Sequence, residues 1–222
     1  MIYQMYNVIR DVRVALDEDR AGTSLLADGD LDALKLDALV RSKILEAVDR
    51  VHGEVPYYML NVDTTEDFSG TTVTWDSEHR CGSLLLPGDF LRLIVFSMSD
   101  WERPVYEAIS TLDPEYAKQR SKVKGIRGTA ERPVVAIGME AAGRVLEFYS
   151  CKSHAGSQQD PYATVSLAAY VPRASEDAMG GVNISERCYR AVVYTAAGLA
   201  LTSCGEAERA KHFFELAKTL ET

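Results

Sequence analysis

Val134-Val-Ala-Ile-Gly-Met-Glu-Ala-Ala-Gly-Arg-Val-Leu-Glu-Phe-Tyr149 is the stretch on which the fold turns. Two β-rich runs, Val134 to Ile137 and Val145 to Tyr149, flank the turn Glu140-Ala-Ala-Gly143, which is the pattern of an antiparallel hairpin. Working outward, short runs of the same character lie at Thr71 to Trp75, Ser83 to Leu86 and Phe90 to Phe96 on one side and Thr164 to Val171 on the other. Gly, Pro and Asp punctuate them throughout. The middle of the chain is therefore expected to be a mainly antiparallel β-sheet.

The flanks follow a different period. Ile2, Met5, Ile9, Val12 and Leu16 recur at helical spacing, and so do Leu36, Val40, Ile44, Val48 and Val51. Asp30 or Asp32 can cap the second of these helices, and Gly53 with Pro56 closes it. After the strands, Asn183 with Glu186 three residues on has the form of a capping box. It would open a helix carrying Cys188, Val192, Tyr194, Leu199 and Leu201 that stops at Gly205. Ala207 to Leu220 forms a final helix. The expected class is α+β: an N-terminal helical pair, a central mainly antiparallel β-sheet and a C-terminal helical hairpin. A single domain 1–222 is expected, with a helical segment 1–53, a β-rich segment 54–182 and the hairpin 183–222.

Composition narrows the function classes. At 222 residues with 46% hydrophobic and 26% charged content, the chain is an ordinary globular protein able to bury a core. No secretory signal is expected at its opening, and Ala191 to Leu201, the longest apolar stretch, is far too short to span a bilayer. No membrane association is expected, and synthesis is placed in the cytoplasm. Cys81, Cys151, Cys188 and Cys204 form no CxxC pair and are expected to be free thiols. The net charge of −9 is unevenly spread: residues 54–117 carry 3 basic and 12 acidic groups, whereas residues 118–132 carry 6 and 1. A surface of that sign repels phosphate, so nucleic acid would meet the protein through the basic segment 118–132 alone.

Several constellations suggest chemistry without completing it. Asp28-Gly-Asp30-Leu-Asp32 starts like a calcium loop, but Ala33 and Leu39 stand where a glycine and a bidentate glutamate are required. It is better read as an acidic helix start. Asp76, Glu78, His79 and Cys81 could centre a hydrolase or nuclease, against a charged hairpin tip as the plainer account. Cys151 and His154 have CxxH spacing without a second ligand pair. Gly125-Ile-Arg-Gly128 has the outline of a backbone clamp for nucleic acid, but such a clamp joins two helices, and here Pro133 and a strand follow. No nucleophile elbow, zinc-protease helix, phosphate loop or dinucleotide fingerprint occurs. No enzyme activity, cofactor or metal is expected.

The basic segment, with Lys118, Arg120, Lys122, Lys124 and Arg127, is the most unusual feature. It is read as a contact for an acidic protein surface, with DNA-backbone contact or a plain solvated loop as alternatives. Trp101 and Arg103 join it as candidate interface residues. Trp75 and the Tyr57-Tyr58 pair are further candidate anchors, and for these and for Trp101 burial in the chain's own core is the plainer account.

Five strings carry a resemblance: Leu39-Val-Arg-Ser-Lys-Ile-Leu-Glu-Ala-Val-Asp49, Leu84-Leu-Leu-Pro-Gly-Asp-Phe-Leu-Arg-Leu93, Met98-Ser-Asp-Trp-Glu-Arg-Pro-Val105, Lys124-Gly-Ile-Arg-Gly128 and Leu146-Glu-Phe-Tyr-Ser-Cys151. With the last two helices, they resemble the head-to-tail connector (neck ring) proteins of crAss-like bacteriophages over residues 36–220. Residues 1–35 and the tip 153–160 are not matched. The resemblance implies a virion protein made in the host bacterial cytoplasm, repeated as a homo-oligomeric ring of about twelve copies. Such a ring would dock on a portal protein and on further neck or tail ring proteins. Genomic DNA would pass through its channel without sequence-specific binding. The family has no catalytic residues to carry over. A free-standing host binding module that uses the basic segment is the alternative.

Overall fold

The computed structural model describes residues 1–18, 31–76, 81–121, 123, 125–149 and 163–221. In chain order the elements are β1 (Ile2–Gln4), α1 (Met5–Glu18), α2 (Leu31–Glu54), β2 (Glu66–Asp67), β3 (Val73–Asp76), β4 (Cys81–Leu85), β5 (Phe90–Met98) and β6 (Ile109–Ser110). They continue with α3 (Pro114–Gln119), β7 (Val135–Glu140), β8 (Gly143–Phe148), β9 (Val165–Pro172), β10 (Gly181–Asn183), α4 (Tyr189–Ser203) and α5 (Ala207–Thr219). The fold is α+β, with helices at both ends of the chain and antiparallel sheets between them. Among the described residues, no helix is long and apolar enough to cross a membrane.

Two compact units form. Residues Met1–Thr64 and Arg173–Thr222 make one, and Thr65–Pro172 makes the other. The helices expected at the two ends of the chain thus share a unit.

In the first unit, α1, α2 and α5 surround α4. Val8, Val12, Val40, Ile44, Val48, Val51, Val192, Ala196 and Phe213 are all buried in its core. Helix α4 is buried almost all round, from Ala191 to Leu201, because its small residues let neighbouring helices approach closely. Val192 is fully buried while Leu199 is partly so. Two details differ from the sequence reading. Ile2–Gln4 is a strand paired antiparallel with β10, so the first helix begins at Met5. Asn183 lies in β10 and caps nothing: its amide donates to the carbonyl of Asp63, and α4 starts only at Tyr189, after a 3-10 turn at Glu186–Cys188. The backbone N–H of Ser185 donates instead to Nε2 of His52, at 3.3 Å.

In the second unit, a five-stranded sheet of order β3-β4-β8-β7-β6 and a three-stranded sheet of order β2-β9-β5 enclose an aromatic core. The deciding hairpin forms as expected. Glu140 faces Gly143 across a two-residue turn, and Gly143 takes a φ of +132°, open to glycine and poor for other residues. Phe148 projects from β8 into the core against Trp75, Phe96 and Trp101, with ring centroids 5.4, 5.5 and 6.1 Å away. Opposite it in register is Gly82, where even a Cβ would lie 2.1 Å from the Phe148 ring. One strand departs from the antiparallel pattern: β6 runs parallel to β7 at the edge of its sheet.

Candidate functional site

The basic segment begins as a helix, which the β-rich expectation for this region did not include. Asp113 accepts the N–H of Glu115 at 2.8 Å and Pro114 follows it, so Pro114–Gln119 forms one capped turn and a half. Lys118 pairs along this helix with Glu115. Gln119 is buried. Its amide oxygen accepts the backbone N–H of Gly128 at 2.7 Å, which pins the far end of the segment to its beginning. Between these points Val123 and Ile126 are exposed, at 57% and 51%.

Arg120 is tied to the sheet beneath. Its guanidinium donates to the Tyr116 hydroxyl at 3.0 Å, lies 5.4 Å from the centre of that ring, and stands 3.9 Å from the Glu147 carboxylate. Glu147 is buried on β8, and it accepts the Tyr116 hydroxyl at 3.1 and 3.2 Å and the Tyr149 hydroxyl as well. Burial pushes the Tyr149 phenol well above its ordinary value, and its hydrogen bond to Glu147 adds to the effect. The Arg120 guanidinium is held in its charged form first by the bond to Tyr116. A buried carboxylate with two phenols and a cation is fully partnered. Through Arg120 and Tyr116 it ties the root of the basic segment to the sheet.

Arg127 is half-buried and Arg103 exposed, while Lys122 and Lys124 lie outside the described residues. Trp101 is 9% exposed and packs in the aromatic core, where its indole lies against Phe96 and Phe148; of the two readings of this residue, burial in the chain's own core is the one its packing favours. Trp75 is half-buried, whereas Tyr58 is 60% exposed. Asp76 and Cys81 face each other across the β3–β4 pair, with Glu78 and His79 outside the described residues. Asp28, Asp30, Cys151, His154 and the 153–160 tip lie outside them too, and of Asp32 only the backbone, within α2, is described. Among the described residues no group of three or more His, Cys, Asp or Glu side chains is placed to hold a metal ion. Cys188 is buried, and burial pushes its thiol up, away from reactivity.

The sequence alone assigns no site role to Tyr116, Gln119, Glu147 or Tyr149. One signal was present: on an alternating strand Glu147 and Tyr149 share a face, and a lone carboxylate between Leu146 and Phe148 implies a partner. The partners on α3 have no such signature.

Elsewhere on the second unit, two exposed carboxylates converge on one phenol. The Tyr170 hydroxyl lies 2.9 Å from Oε2 of Glu66 and 3.0 Å from Oδ1 of Asp89. Among the described residues of the first unit, open grooves lie at two places. One of about 480 Å³ lies between α1 and α4 beside Val14, Arg190 and Tyr194, and there Tyr189 donates to Asp11 at 2.7 Å. The other, of about 290 Å³, is lined by Arg50, Glu54, Lys211, Phe214 and Lys218.

Comparison of the chain with models of known protein families finds no match, and neither does comparison with curated proteins.

Proposed function

We propose that this chain is a structural subunit of a tailed phage's neck, forming a homo-oligomeric ring between portal and tail around the DNA channel. The observation that carries the reading is the construction of the basic segment. Exposed apolar side chains, Val123 and Ile126, stand among cations on a loop whose two ends are anchored by Gln119 and by the Arg120–Glu147 network. A loop that served only to be solvated would need neither the exposed apolar residues nor the buried anchors. DNA-backbone contact would call for cations without them, whereas a protein interface uses both, apolar contact for affinity and charge for register. The resemblance set out above names the assembly. The net charge of −9 supports it, because an acidic channel wall lets DNA slide without sticking.

The test reverses Lys122 and Lys124 to Glu and follows assembly in the absence of nucleic acid, alone and with the portal, beside a DNA-retention assay on the same samples. Assembly should fail while the chain stays folded, since like-charge contact at a partly dry interface costs several kcal/mol. Unimpaired assembly with DNA retention lost would overturn the interface reading in favour of DNA contact.

A further inference from the structure

A closed ring of identical subunits needs a head-to-tail contact, and such a contact joins two different patches of the same chain. The second unit offers two patches of opposite character on different sheets. At the β6 edge of the five-stranded sheet, the chain from Tyr106 to Ile126 exposes Tyr106, Leu112, Val123 and Ile126 along with the cations Lys118 and Arg120. Leu112 is 93% exposed. On the three-stranded sheet, β2 at one edge carries Glu66 and Asp67, both exposed, and exposed Asp89 lies close by.

We infer that the apolar and basic rim at β6 docks on a second copy of this chain, its cations meeting the carboxylates of Glu66, Asp67 and Asp89. The inference rests on the ring reading and adds the receiving surface. Charge complementarity selects that occupant: residues 118–132 carry an excess of five positive charges, and the same chain presents the matching carboxylates. The geometry of the receiving side supports it. Tyr170 is buried and has a single hydroxyl proton, yet two carboxylate oxygens lie within hydrogen-bonding distance of it. One carboxylate can take the proton, and the other is left facing a phenol lone pair. Among the described residues neither Glu66, Asp67 nor Asp89 forms an ion pair. A lysine or arginine arriving from a neighbour supplies donors for both.

The experiment uses the full chain at low salt, in sedimentation runs up to roughly millimolar protein, where even a weak contact is populated. The double variant Glu66→Gln with Asp89→Asn keeps an acceptor for Tyr170 and removes the charges, so the fold is spared. It should raise the concentration needed for assembly roughly tenfold or more. Reversing both sides at once, Glu66→Lys and Asp89→Lys with Lys122→Glu and Lys124→Glu, should recover part of the loss. A wild-type chain that assembles while the amide variant assembles equally well overturns this contact and leaves the ring standing. A wild-type chain that remains monomeric throughout overturns both.

Discussion

His52 is a titratable ring enclosed by apolar helices and held by one hydrogen bond from the Ser185 backbone. Burial first, and the nearby N-terminal ammonium second, lower its pKa from 6.5 to about 4. The folded state therefore keeps it neutral, while the unfolded chain takes up a proton below pH 6.5. Its contribution to stability is complete above pH 6.5 and is lost as the pH falls toward 4, with a span of about 3 kcal/mol. His52→Gln, which retains an acceptor and cannot titrate, should flatten the fall of urea stability between pH 6.5 and 4. An unaltered slope would place the proton uptake elsewhere. Glu147 makes a second residue-scale case. Truncating it to alanine strands the buried Tyr149 hydroxyl and frees Arg120, so Glu147→Ala should cost about 1–3 kcal/mol in urea denaturation. An unchanged midpoint would contradict the anchoring role given to this carboxylate.

Among the elements, β4 and β8 are matched through one pair, Gly82 under Phe148. The ring is fully buried among Trp75, Phe96 and Trp101 and has nowhere to retreat from an added methyl group. Gly82→Ala should therefore destabilise by about 1–3 kcal/mol or more, visible as a lowered thermal midpoint, and a neutral effect would contradict this packing. The hairpin containing β8 was legible from its runs and turn, since both the alternation and Gly143 are local signals. The helical stripes of α1, α2 and α4 were legible for the same reason. Asn183 and Glu186 misled because a capping box competes with tertiary pairing: β1, whose Ile2 lies 181 residues away in sequence, draws Asn183 into a strand. Helix α3 was missed because six residues are too few to show a period, although Asp113-Pro114 marked its start. The anchors of the basic segment were hidden because Tyr116 and Glu147 meet only in the fold.

At the scale of the whole molecule, the proposed function rests on surfaces, and a single sequence says less about surfaces than about cores. The excess of cations in residues 118–132 was readable by counting, but the buried Gln119 and Glu147 that hold them were not. Trp101 shows the converse, a residue of the kind that anchors interfaces and that here fills its own unit's core. If the chain is a neck ring subunit, its apolar and basic rim is complete only when a neighbour covers it. The most direct measurement is electron microscopy of the purified chain with its portal, free of nucleic acid. The account predicts closed rings of uniform diameter on the portal that are absent with Lys122→Glu and Lys124→Glu. A field of single subunits beside bare portals would contradict it.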